Sequence, residues 1–177
     1  MGRPLVRHGG VIRPDSEVDT AEPRDALNEL RTEIAEADGP EDGAQRVVDR
    51  LRERFAHYSW VGIYWIDGEE LVLGPWSGPQ ATEHTRIPLG SGICGAAASS
   101  GRTEIVDDVN ADPRYLACFA STRSEIVVPI FAAGRVVGEI DVDGDAPAAF
   151  GRDDAIFLEE VAALLAPLRP ATIAPAG

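Results

Sequence analysis

The chain of 177 residues contains no lysine: all 16 of its basic residues are arginine, against 30 acidic residues and a net charge of −14. That balance argues against nucleic acid and anionic membrane surfaces as partners, since both want basic patches. No apolar run approaches the roughly 18 residues of a membrane span. The opening MGRPLVRHGG lacks the apolar stretch of a secretory signal, so a cytoplasmic protein is expected. Sulfur is nearly as scarce. Two cysteines 24 residues apart, Cys94 and Cys118, form neither a CxxC pair nor a disulfide scaffold, and in the cytosol both are reduced at rest.

What is present suits one domain of ordinary size, because a chain that is 44% hydrophobic can bury a core. Residues 1–22 mix proline, glycine and charge without periodicity and read as a flexible arm; residues 170–177 read as a flexible tail. Between them, residues 23–169 carry the pattern. Leu27, Leu30 and Ile34 share a helical face until the breaker DGPEDG, and Ala44, Val47, Val48, Leu51 and Phe55 repeat at helical spacing.

The period then changes to that of strands. YSWVGIYWI and ELVLGPW flank a turn at Asp67-Gly68, and HTRIPLG is a short third strand. ICGAAASS is a small helix, TEIVDDV a fourth strand, and NADPRYLACFAST an irregular crossover. SEIVVPIF and RVVGEIDVD form a second hairpin around Ala132-Ala133-Gly134, and a helix over about 153–166 closes the chain before Pro167. The fold class is α+β.

Strand alternation places Glu125, Val127 and Pro129 on one face, and Glu139, Asp141 and Asp143 on one face of the next strand. A three-residue turn pairs Phe131 with Arg135 and therefore Glu125 with Asp141, Asp143 lying one step along. Like charges so placed repel. If the crossover covers them, they require a cation or a proton, and an ammonium group on a small ligand is the expected cation. Cys94 follows GSG at a helix start, where free N–H groups favour a thiolate; Cys118 lies between Arg114 and Arg123, either of which would lower its pKa.

The blocks SWVGIYW, LVLGPWSG, RIPLGSGICGAAA, DPRYLACFASTRSEIVVPI and GEIDVD, in this order, resemble the GAF domain of free methionine-(R)-sulfoxide reductases over about residues 58–145. The resemblance implies a six-stranded antiparallel sheet flanked by N-terminal and C-terminal helices, a homodimer, and a small closed pocket for a free amino acid. It implies that Cys118 and Cys94 are the redox thiols, and that Glu125, Asp141 and Asp143 hold the substrate's amino group and assist at the sulfoxide. Trp60 and Tyr64 would line the methyl-sulfur end. No cofactor is implied beyond an external thiol reductant such as thioredoxin. The position of the family's third cysteine, ten residues before Cys94, holds His84.

The leading expectation is thus a thiol oxidoreductase. Cys118 becomes a sulfenic acid, Glu125 or Asp143 protonates the departing oxygen, and Cys94 resolves the intermediate as a disulfide. Two alternatives belong to other classes. One is a non-catalytic GAF sensor of a small molecule or redox state. The other is a metal-dependent oxidoreductase with His84, Cys94 and Cys118 as ligands to a transition metal.

Overall fold

The computed structural model describes residues 21–171. The expected arm and tail, apart from residues 21–22 and 170–171, lie outside the described residues. Helix α1 (Ala21–Ala35) buries Leu27 and Leu30; α2 (Pro40–Arg54) buries Ala44, Val47, Val48 and Leu51. Pro40 opens α2, and Glu41 with Asp42 in its first turn and Arg52 with Arg54 in its last complement the helix dipole.

Six strands follow: β1 (Trp60–Asp67), β2 (Glu70–Ser77), β3 (Arg86–Pro88), β4 (Glu104–Val106), β5 (Ser124–Ala132) and β6 (Arg135–Gly144). They form one antiparallel sheet in the order β3-β2-β1-β6-β5-β4. Helix α3 (Gly92–Ser100) joins β3 to β4, and α4 (Arg152–Leu165) closes the fold.

Alternation gives the sheet two covered faces. Val61, Ile63, Trp65, Ile126, Val128, Ile130, Ile140 and Val142 face α1, α2 and α4 in the larger core. The end of α4 near β1 is tied down by Asp154, whose Oδ2 caps the Gly151 N–H at 2.9 Å. Its Oδ1 accepts from Tyr58 Oη at 3.0 Å and pairs with His57 Nε2 at 2.8 Å. The opposite face carries Trp60, Tyr64 and Val127, and it is covered by α3 and the crossover.

The second hairpin departs from the sequence expectation. Its turn has two residues, Ala133 and Gly134, with φ of 49° and 74°, and Ala132 pairs with Arg135. Such turns match the twist of the flanking strands but need positive φ at both positions. A register shift between Ile130 and Phe131 adds a further step, so Glu125 stands opposite Asp143, and Asp141 stands opposite Val127. The expected pairing of Glu125 with Asp141 is therefore wrong by two residues. The face assignment is unchanged, since a shift of two preserves the side on which each residue points.

Candidate active site

On the face beneath α3 and the crossover, β6 presents Glu139, Asp141 and Asp143 and β5 presents Glu125. The four carboxylates are 0–4% exposed. No ion pair among the described residues reaches any of them. Both oxygens of Glu139, Oδ1 of Asp141 and Oδ2 of Asp143 are buried without a hydrogen-bond partner among the described residues. Buried polar groups are ordinarily satisfied, so a cluster of orphans marks a place where something else binds or reacts.

Electrostatics agrees with the geometry. Burial, then the neighbouring carboxylates, drives Glu125 and Asp143 well above the usual carboxyl range. Burial, then Asp141, does the same to Glu139. Burial raises Asp141 to about 7. A group that exchanges a proton near neutrality is suited to general acid–base work.

Strand β1 supplies the aromatic wall. Trp60 pairs with Asp143, Gly62 with Asp141, and Tyr64 with Glu139. The Trp60 indole lies across Gly62 and against Gly78, where any Cβ would collide with the ring. It stacks on Trp76 with centroids 6.1 Å apart and meets Phe119 at 5.8 Å. Its Nε1–H is buried and unpartnered, as are Thr122 Oγ1 and Tyr115 Oη. A cavity of about 370 Å³, lined by Pro79, Gln80, Phe119 and Asp145, adjoins the site at Trp60.

Both thiols face this cluster, yet neither has the setting expected of it. Cys94 sits in the first turn of α3, and its Sγ–H donates to Glu125 Oε1 at 3.7 Å. Burial first, then Asp141, Glu139 and Glu125, pushes it well above an ordinary thiol, which overrides the helix N-terminus. Cys118 is half-buried in the crossover, 3.5 Å from the Leu116 carbonyl. Burial first, then Asp141, Asp143 and Glu125, raises it too.

The arginines do not lower the pKa of Cys118. Arg114 is bound to Asp112 at 2.7 Å and Glu104 at 3.1 Å, and Arg123 donates to the carbonyls of Ala120 and Thr122. The electropositive loop suggested by sequence spacing is thus a corrected reading: its guanidinium groups are engaged elsewhere, and the thiol faces acids.

His84 lies on the loop before β3. Its Nε2–H donates to the Ala117 carbonyl at 3.3 Å, its carbonyl accepts Tyr64 Oη at 2.8 Å, and its N–H donates to Thr82 Oγ1 at 3.1 Å. The imidazole, Cys94 and Cys118 do not form a ligand cluster among the described residues. The residues that come close enough to share a metal, among those described, are instead Cys94, Glu125 and Asp141, whose donor atoms lie within 4.8 Å of one another. The site also contains residues that sequence reasoning left out of it. Glu139 shares the alternation phase of Asp141 and Asp143 and was legible by that signal. Thr122 and Tyr115 lie in the irregular crossover, where no period marks them.

A six-stranded antiparallel sheet with helices on one face and a short helix and crossover on the other is the arrangement of a GAF domain, and the GAF family model matches residues 39–167. The chain belongs to that family and, within it, to the group that includes the free methionine-R-sulfoxide reductases. It is 34% identical over 115 residues to the enzyme of that name from Escherichia coli, covering 65% of this chain and 68% of the relative. It is 42% identical over 120 residues to GAF domain-containing protein A of Dictyostelium discoideum, covering 67% and 74%. The Neisseria meningitidis free methionine-R-sulfoxide reductase in complex with its substrate superposes with a TM-score of 0.77 at 39% identity, over 82% of this chain and 87% of that one. Among the described residues no helix is long and apolar enough to cross a membrane.

Proposed function

We propose that this protein is an enzyme that reduces the R epimer of free methionine sulfoxide at the expense of a thiol reductant. The observation that carries the reading is a cluster of four buried carboxylates, without an ion pair among the described residues and faced by two thiols. A substrate ammonium supplies the missing positive charge among Glu125, Asp141 and Asp143. Trp60 and Tyr64 flank the methyl-sulfur end.

In the ligand-free pocket the thiols are protonated, because burial and nearby acids disfavour the thiolate. The incoming ammonium offsets that repulsion and lets the carboxyls ionise. A carboxylate can then accept the Cys118 proton while Asp143 or Glu125, still protonated, donates to the sulfoxide oxygen. The Cys118 sulfur attacks the sulfoxide sulfur. The protonated oxygen then passes to Cys118 as the S–O bond and the new bond between the two sulfurs both open, so that methionine leaves and Cys118 is a sulfenic acid. The Cys94 thiol displaces water from it to form a disulfide, and a dithiol of the thioredoxin class restores both cysteines. The same reading includes a homodimer working in the cytoplasm.

The test is turnover of the separated epimers with dithiothreitol and with thioredoxin. The free R epimer should consume reductant, and the S epimer and N-acetylated sulfoxide should not. Cys118→Ser should abolish turnover, and Cys94→Ser should leave a sulfenic acid that a dimedone probe traps. No consumption of reductant with either epimer would overturn the reading.

A further inference from the structure

The triad of Cys94, Glu125 and Asp141 has a second use. Its three donor atoms lie within 4.8 Å of one another, and Cys94 already bonds Glu125 at 3.7 Å. Asp141 is 2% exposed, its Oδ1 has no hydrogen-bond partner among the described residues, and one of its carboxylate oxygens lies in the cluster. No arginine or histidine pairs with either carboxylate among the described residues. An ammonium satisfies such a well by charge; a divalent metal satisfies it by coordination.

We propose that, in the reduced and ligand-free protein, Cys94, Glu125 and Asp141 bind one thiophilic divalent cation of the zinc class, in exclusion of an amino-acid ammonium.

The donor set selects the metal. One thiolate with two carboxylates suits zinc or cobalt, whereas magnesium and calcium take oxygen alone. Donors around tetrahedral zinc sit about 3.3–3.8 Å apart, so side-chain movements of about 1 Å complete the site. Three protein ligands leave a fourth position for water. The cation displaces the thiol proton, since a coordinated thiol is deprotonated outright. It thereby occupies the same carboxylates that the proposed substrate needs and withdraws the thiol that resolves the sulfenic acid. The binding half of the proposal stands on geometry alone; only the exclusion half rests on the amino-acid reading.

Full-length reduced protein, stripped with a chelator, should gain one equivalent of near-ultraviolet thiolate-to-cobalt absorption on titration with Co²⁺, and Zn²⁺ should abolish it. Cys94→Ser should remove the band, and Cys118→Ser should keep it. Glu125→Gln and Asp141→Asn should each weaken cobalt binding at least tenfold, in proteins whose circular dichroism is unchanged. Free methionine should raise the apparent Kd for cobalt, whereas glycine, which also chelates cobalt in solution, serves as the control and should do so far less. Absence of the band in the unmutated protein, or its survival in Cys94→Ser, overturns the metal site. A band lost in Cys94→Ser but no more sensitive to methionine than to glycine overturns the exclusion. Failure of the reductase reading is seen separately, in the turnover assay, and leaves the cobalt band in place.

Discussion

Glu125 and Asp143 stand directly opposite each other across β5 and β6, at 4% and 2% exposure, with no ion pair to either among the described residues. Such a pair costs stability in the empty protein and becomes favourable only when a ligand brings positive charge. Glu125→Gln or Asp143→Asn should therefore raise the ligand-free melting temperature while weakening free methionine by about 1–3 kcal/mol, the range for a charged hydrogen bond. Calorimetry on both states checks this. Equal binding of free and N-acetylated methionine by the unmutated protein would sink the ammonium reading.

The pH dependence of stability follows from Asp141. Its carboxyl titrates near 3.9 in an unfolded chain and at about 7 in the fold. A raised folded pKa means that the folded state holds the proton more tightly, so this contribution is complete below about pH 4 and is lost as pH rises toward 7. Ligand-free protein should melt at progressively lower temperature across that window, and Asp141→Asn should flatten the slope. A melting temperature that climbs from pH 5 to 7 in the unmutated protein, with no difference in Asp141→Asn, would contradict the buried neutral carboxyl.

How far the sequence reached depends on whether a residue sits in a periodic element. The period-two pattern of β6 put Glu139, Asp141 and Asp143 on one face, and the structure keeps them there. The cross-strand partner of Glu125 was not legible, because it depends on Ala133 adopting φ 49° and on one register shift. Neither leaves a compositional mark. Cys118 shows the same limit more sharply. Arg114 and Arg123 are near in sequence, but what a thiol experiences is set by where guanidinium groups bond and by which acids the crossover covers. Resemblance to a family supplied the pocket as a whole, which chain spacing alone left as an acidic face that could equally have been solvated.

Glu139 carries the largest unrelieved burden in the site: it is fully buried, and neither carboxylate oxygen has a partner. Retaining a polar group in that condition costs about 1–3 kcal/mol relative to an apolar residue that fills the space. Glu139→Val should raise the ligand-free stability by that order, read from denaturant midpoints. The acid lies beside Cys94 and Asp141, so the same substitution should lower kcat and displace the pH–rate profile. Unchanged kinetics with raised stability would make Glu139 a bystander to the chemistry.

His84 occupies the position at which the resemblance implies a third cysteine, and an imidazole cannot form a disulfide. Its bonds describe another task. The ring holds the Ala117 carbonyl at 3.3 Å, one residue before Cys118, while its backbone is fixed by Tyr64 and Thr82. It therefore braces the crossover to the loop before β3 and keeps the Cys118 thiol half-buried. Losing the brace should raise the exposure of Cys118 more than it impairs the chemistry. His84→Ala should accelerate alkylation of Cys118 by iodoacetamide severalfold and reduce turnover less than tenfold. His84→Cys should sustain turnover with a thiol reductant, because a third thiol adds a route out of the disulfide rather than removing one. Neither variant should alter cobalt binding, since His84 is not among the clustered ligands. Turnover abolished in His84→Ala, with alkylation of Cys118 unchanged, would overturn the brace and put the imidazole in the reaction itself.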